Sequence, residues 1–144
     1  MASTYSTSLK LELQATGENA GTWGTKTNTN LQLVEQAVGG YEEVSIAGGA
    51  GTTALTMSDG AASNARNMVV KLTGTITGNR IVTVPDSIEK VYIVSNGTSG
   101  AYTVQFKTAG GTGYTFVAAD KSVRVLFSDG TNIVDTLRIK LTLY

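Results

Sequence analysis

The sequence contains neither cysteine nor histidine, and these two absences exclude much of protein chemistry. Without cysteine the chain forms no disulfide and offers no thiolate nucleophile. Without histidine it lacks the commonest general base, and every Ser-His or Cys-His nucleophile pair is excluded. Zinc would find only carboxylates among its usual ligands. We therefore expect a protein that is not an enzyme and that holds neither a metal ion nor a cofactor.

Charge is sparse and balanced in this sequence. Eleven basic and eleven acidic residues give a formal net charge of zero, and 15% of the residues are charged. The lysines stand singly among neutral residues, so no basic face for nucleic acid is predicted. The N-terminal residues lack the pattern of a secretory signal, and no apolar run approaches the roughly 20 residues that cross a bilayer. We expect synthesis in a cytoplasm, no nucleic-acid partner and no membrane insertion.

The only tryptophan, Trp23, lies in a run rich in glycine, threonine and asparagine that covers residues 16–31. Apolar residues then recur three and four positions apart, which predicts one buried stripe on a helix of about three turns. Side-chain oxygens of residues 27–30 can cap the first N–H groups, and Gly39-Gly40 ends the pattern. We predict a helix over about residues 27–38, with Trp23 as the anchor of the loop before it. The stripe consists of Leu31, Val34, Ala37 and Val38.

The sequence after residue 40 predicts β-strands throughout. Threonine and glycine are abundant, proline occurs once, and turn signals recur about every ten residues. This pattern predicts a mainly-β fold, an antiparallel β-sandwich or jelly-roll-like domain with one short N-terminal helix. We expect residues 1–40 to form an attachment and oligomerisation segment. Residues 41–144 would then form the β-sandwich body with a C-terminal strand.

Two stretches of the body carry apolar residues in alternation. Residues 88–95 are the most apolar and predict a central strand covered on both faces. The last residues of the sequence predict an extended strand with one apolar side. That strand either closes the domain's own sheet or adds to a neighbouring subunit, and both readings remain open. Its apolar side consists of Leu137, Ile139, Leu141 and Leu143.

Two patterns have the spacing of catalytic pairs without the geometry. Ser87 and Lys90 match a Ser-x-x-Lys motif, which requires a helix to bring the two side chains together. On the strand predicted here they point to opposite faces. The adjacent Glu42 and Glu43 diverge in the same way. Neither pattern predicts an active site.

The run Gly-Glu-Asn-Ala-Gly-Thr-Trp-Gly-Thr-Lys-Thr-Asn-Thr-Asn-Leu at 17–31 carries a family resemblance. Together with the short helix, Val-Pro-Asp at 84–86 and Ser-Asp-Gly-Thr-Asn at 128–132, it resembles the virion structural and tail-fibre-like proteins of marine tailed bacteriophages. The resemblance covers most of residues 8–135 and is most specific at 17–31. It implies a homo-oligomer, a trimer, that is made in the cytoplasm of the host bacterium, enters the virion and contacts other virion proteins of the tail or capsid.

Three functions follow as hypotheses. The first is a fibre-type appendage subunit or, as favoured by the short chain, a capsid decoration or cement protein. The second is a carbohydrate-binding module that contacts host glycans through exposed aromatic rings such as Tyr102 or Tyr114. The third, a hydrolase, is disfavoured by the missing histidine and cysteine. For the first hypothesis, we expect the attachment or oligomer interface to contain Trp23, Leu31, Val34, Val38, Leu137, Ile139, Leu141 and Leu143.

Overall fold

The computed structural model describes residues 2–137. It confirms a mainly-β fold with one helix, the predicted class. The elements, in chain order, are β1 (Thr4–Tyr5), β2 (Glu12–Leu13), α1 (Trp23–Gly39), β3 (Tyr41–Ser45), β4 (Gly51–Ala54), a 3₁₀ turn (Asn64–Arg66), β5 (Val69–Thr73), β6 (Arg80–Val84), β7 (Glu89–Asn96), β8 (Val104–Thr108), β9 (Gly113–Phe116), β10 (Val123–Asp129) and β11 (Ile133–Asp135).

The middle of the chain winds through three stacked coils. Strands β3, β5 and β7 pair in parallel in one sheet, and β4, β6 and β8 pair in parallel in a second sheet. Between the sheets, parallel bridges join Gly48 to Ile76 and Thr75 to Ser99 at the corners. Each coil therefore consists of a strand in the first sheet, a corner, and a strand in the second sheet. The architecture is a short parallel β-solenoid.

Antiparallel strands extend both sheets beyond the third coil. Strand β9 pairs with β8, β10 pairs with β7, and β11 pairs with β10. The resulting orders are β11-β10-β7-β5-β3 and β4-β6-β8-β9. The predicted antiparallel sandwich or jelly roll is thus wrong for the coils, where pairing is parallel. The spacing of turns and the alternation of apolar and polar residues do not reveal whether strands pair in parallel or antiparallel. A coil that returns through a second sheet has the same local sequence pattern as a hairpin.

The core fills the space between the two sheets. The rings of Tyr92 and Phe106 meet edge to face there, with 5.5 Å between their centroids. Tyr92 and Val94 of β7 are fully buried, whereas Val91 on the other face is 41% exposed. The prediction that this strand is covered on both faces is therefore wrong within one chain. The other buried members of the core include Ile46, Val70, Leu72, Ile76, Val82, Val84, Val104, Phe116 and Leu126.

Helix α1 begins four residues earlier than predicted, so Trp23 lies in its first turn. The preceding residue makes no side-chain cap. Asn30, expected to be one of the caps, instead pairs with the backbone of Glu12: it accepts from the N–H at 2.9 Å and donates to the carbonyl at 2.8 Å. Lys26 lies 3.1 Å from the Glu12 carboxylate, and its hydrogen bond lowers the pKa of that group. Strand β2 is thereby attached to the helix.

A buried arginine joins the N-terminal segment, the helix and the first long loop. Arg66 is fully buried, and its Nε donates to the carbonyl of Leu9 at 2.9 Å. Its Nη2 donates to the carbonyl of Ser58 at 2.6 Å. Desolvation lowers the pKa of the guanidinium, which has no carboxylate among these partners. Its Nη1 donates to Ala61 O, Ser63 Oγ and Gln36 Oε1.

We expect Arg66→Lys to lower the free energy of unfolding by about 3–5 kcal/mol, because an ammonium cannot serve acceptors on three separate segments. Urea denaturation measures this. Arg124→Lys is the matched control, since the Arg124 side chain is 28% exposed and lies 3.7 Å from Asp120. Its loss should stay within about 1 kcal/mol. Equal losses in the two variants would contradict the structural role of Arg66.

Candidate association surface

Helix α1 has apolar residues on the side that faces the body and also on a side that faces water. Leu33 and Ala37 are buried. Leu31, Val34 and Val38 are between 37% and 68% exposed. We call these three residues, together with Trp23, the helix stripe.

Trp23 belongs to the same side of the helix. It lies eleven positions, or about three turns, before Val34, and it is 63% exposed. At about 100° per residue, all four side chains of the helix stripe fall within about 80° of one another. Thr27 lies in the same sector between Trp23 and Leu31, so the helix stripe consists of an apolar strip at Leu31, Val34 and Val38 and, beyond Thr27, of Trp23.

The spacing of the helix stripe is that of a coiled-coil seam. Leu31, Val34 and Val38 occupy successive a, d and a positions of a heptad. Counting back in the same register places Gly24 at a and Thr27 at d, so the apolar heptad pattern is confined to the last two turns of α1. The helix stripe thus presents apolar side chains to water at heptad spacing.

The structure corrects two expectations about this segment. The predicted stripe is not buried as a unit, because Leu33, outside the prediction, takes the inward position together with Ala37. Trp23 does not anchor a loop on the chain's own sheet, since it is exposed in the first helical turn. It borders a shallow depression of about 400 Å³ whose other walls include Gln14 and Glu18.

The C-terminal half of the predicted interface is only partly described. Thr136 donates two hydrogen bonds to the carbonyl of Val125, from its N–H at 3.2 Å and from Oγ1 at 2.6 Å. The chain therefore still follows β10 at this point. Leu137 is exposed beside it, and its N–H donates to Asp135 Oδ1 at 3.0 Å. Ile139, Leu141 and Leu143 lie outside the described residues, so closure of the own sheet and strand exchange both stay open.

Lys90 has a strongly shifted pKa, and such shifts are frequent among catalytic groups. Burial lowers the pKa of its ammonium to about 8. The Nζ donates to the carbonyls of Asn67 at 2.9 Å and Val91 at 2.7 Å, and it lies 4.3 Å from the ring centroid of Tyr92. These partners hold a cation but exchange no proton with it. Within residues 2–137, no cluster of three metal-ligating side chains occurs.

The structure gives little support to a carbohydrate shelf built on Tyr102 or Tyr114. The hydroxyl of Tyr114 donates to Asp120 at 3.0 Å, and its ring packs edge to face on Phe116 at 4.9 Å. Tyr102 is exposed. A groove of about 370 Å³ crosses the outer face of the four-stranded sheet without including either ring in its walls. Its walls are Ala50, Gly51, Thr52, Asn79, Arg80, Ile81, Thr103, Gln105 and Thr115.

Comparison with known proteins returns no relative for this chain. No family model, no curated protein and no solved structure matches it. In the part of the chain that the structure describes, no helix has the length and apolar character needed to cross a membrane.

Sequence reasoning missed a second apolar surface, on the outer side of β10. Val123, Val125 and Phe127 alternate with inward-facing residues such as Leu126, and all three are exposed. The sequence contains the signal for this surface: Val123, Val125 and Phe127 occupy every second position of the strand, and Leu126 between them is apolar as well. Such a strand needs cover on both sides.

The pKa of Lys90 predicts a rise of stability with pH. The native state releases this proton near pH 8 and the unfolded chain near 10.5, so the unfolded state binds more protons between these values. We expect the free energy of unfolding to increase by about 2 kcal/mol from pH 7.5 to pH 9.5. Urea denaturation across this range measures the slope. The increase should vanish in Lys90→Met and persist in the control Lys107→Met; an unchanged increase in Lys90→Met would refute the assignment.

Proposed function

We propose that this chain is a non-enzymatic structural subunit of a bacteriophage virion that works as a homotrimer in a fibre-type appendage. Its task is attachment, through contacts between copies and with other virion proteins. The observation that carries the proposal is the exposed helix stripe. The run at 17–31 that resembles tail-fibre-like proteins ends inside helix α1, at Leu31 of the stripe. The resemblance and the unpartnered surface therefore coincide in one segment.

The helix stripe supports association rather than a solvated surface. Single exposed apolar side chains are common, but four large ones on one side of a helix are typical of an interaction site. Burial of such area contributes about 25 cal/mol per Å². A heptad pattern is satisfied best by the same pattern on another helix, so a second copy of the chain is its simplest partner. The number of three copies comes from the resemblance to tail-fibre-like proteins and not from this heptad.

The missing chemistry supports a structural role as well. The sequence has no histidine or cysteine. Lys90, whose pKa is strongly shifted, is held by backbone carbonyls and a ring. Attachment and packing require none of these groups.

Multi-angle light scattering of the purified chain tests the proposal. We expect the mass of three copies for the unmodified chain, and the mass of one copy for Leu31→Gln/Val34→Gln/Val38→Gln. Glutamine is a good helix former and these positions contact water in the single chain, so the helix should remain folded. Circular dichroism checks that it does.

Two further chains make the result specific. Thr25→Gln/Asn28→Gln changes other exposed positions of α1 and should keep the trimer. A chain ending at Asp135 removes the tail; a trimer that survives this truncation assigns association to the helix, and one that dissociates assigns it to the tail strand. A monomer at all concentrations for the unmodified chain would refute the proposed homotrimer.

A further inference from the structure

The two sheets of the solenoid are joined at one end and open at the other. Beyond the third coil, the N–H of Ile133 in β11 donates at 2.9 Å to the carbonyl of Thr112, which directly precedes β9, so the two sheets meet there. At the first coil, β3 and β4 are the last strands of their sheets. Within residues 2–137, β3 pairs only with β5, and β4 pairs only with β6. Each of these two strands therefore has one free edge.

The backbone of β3 shows which groups lie on its free edge. The carbonyl of Gly40 and the N–H of Ile46 both bond to β5, each over 2.9 Å. Backbone groups alternate in direction along a strand, so those of Tyr41, Glu43 and Ser45 point away from the sheet. Four of the five residues of β3 are exposed. This row of donors and acceptors is therefore open to an added strand.

The tail of the chain needs a partner that β10 does not supply. Thr136 donates to the carbonyl of Val125 in the register of the β10–β11 pair. In the same register Arg138 would come opposite Val123, where β10 begins. The residues after Arg138 would have no residue of β10 opposite them. Their sequence alternates apolar and polar residues, which is the pattern of a strand with one buried face.

This tail cannot reach the free edge of β3 in its own chain. In the sheet order, β11 and β3 are separated by three strands, and four spacings of about 4.8 Å place them about 19 Å apart. Residues 138–144 span at most about 24 Å when fully extended. After crossing the sheet, roughly one or two residues would remain to pair with the edge. A tail that pairs along β3 must therefore come from another copy.

Charge distinguishes the tail from other partners of this edge. Glu42 and Glu43 make β3 acidic, and the tail carries two cations, Arg138 and Lys140. Two copies joined through their β3 edges would bring these glutamates together, and like charges in a strand pair are destabilising. The Glu43 side chain is 51% exposed even with Lys71 at 2.9 Å, so it can accept a second cation. The residues of β4 carry no charge and offer no such match.

We infer that residues 138–144 of one copy add as a strand to the free edge of β3 in a neighbouring copy. The apolar side of the tail then continues the core beyond Val44, which packs against the core from β3. The two cations of the tail lie on the outer face beside Glu43. Each copy gives one tail and accepts one, and such head-to-tail contacts can close into a ring. This inference rests on the proposed homotrimer and deepens it, because it names the strand and the edge that link the copies.

Amide hydrogen exchange, followed by NMR on the full-length chain, tests the inference. The variant Ile139→Pro/Lys140→Pro removes one N–H from each side of the tail strand, so one loss falls on the side that faces β3. We expect the N–H groups of Glu43 and Ser45 to exchange at least roughly tenfold more slowly in the unmodified trimer than in this variant. The N–H of Ala54, on the free edge of β4, should exchange at the same rate in both. The control Ile139→Val/Lys140→Arg should keep the protection.

A mixed assembly separates contact between copies from contact within one chain. The proline variant is isotope-labelled, mixed with an excess of unlabelled, unmodified chain and refolded with it from urea. Only the labelled copies are then observed. Protection of Glu43 and Ser45 should return in them, because the unmodified neighbours supply intact tails. A proline variant that is monomeric alone and regains protection in the mixture supports the inference as well.

The other outcomes overturn the inference, and light scattering of each chain shows whether the homotrimer falls with it. Fast exchange of Glu43 and Ser45 in the unmodified trimer overturns the inference and leaves the homotrimer standing. The same holds if the prolines leave the protection unchanged. Protection that is lost in the variant and does not return in the mixture assigns the edge to the chain's own tail. An unmodified chain that is monomeric throughout overturns both the inference and the homotrimer.

Discussion

The buried guanidinium of Arg66 is the constraint on which the arrangement of this protein depends. A cation removed from water is tolerated only when its donors find acceptors, and here those acceptors come from the N-terminal segment, the loop at 58–63 and Gln36 of the helix. The pairing of Asn30 with the backbone of Glu12 adds a second fixed point. Together these contacts fix the rotation of α1. Leu33 and Ala37 therefore face inward, and the helix stripe faces water.

The coils also expose apolar side chains on one side of the protein, as α1 does. Parallel stacking places every second residue of each strand outward, and the two sheets fill their outward positions with opposite chemistry. Threonine, glutamine and lysine cover one side, whereas valine, isoleucine and aromatic residues cover the other apart from one row with Glu43, Lys71 and Ser95. The antiparallel strand β10 adds the exposed Val123, Val125 and Phe127 to this apolar side and does not cover it. The chain thus has an apolar helix side and an apolar sheet side, and within residues 2–137 neither is covered.

The sequence allowed the class of fold and the existence of the helix to be predicted, because these depend on local periodicity. It did not reveal the coils. The offset between the second and third coils is constant at 24 residues, as in Val69 with Ile93, but between the first two it changes from 28 (Tyr41 with Val69) to 29 residues (Gly51 with Arg80). The loop at 58–67 hides the repeat further. The burial of Leu33 in place of Leu31 likewise depended on Arg66 and Asn30, whose partners are distant in sequence.

The central claim is that folding of this chain is completed by association of its copies. The most direct measurement is the thermal unfolding midpoint of the unmodified chain over a hundredfold range of protein concentration. For a trimer, mass action stabilises the folded state as concentration rises, so the midpoint should increase steadily across the range. A midpoint that stays constant across the whole range would show that each chain unfolds alone, and it would contradict the account.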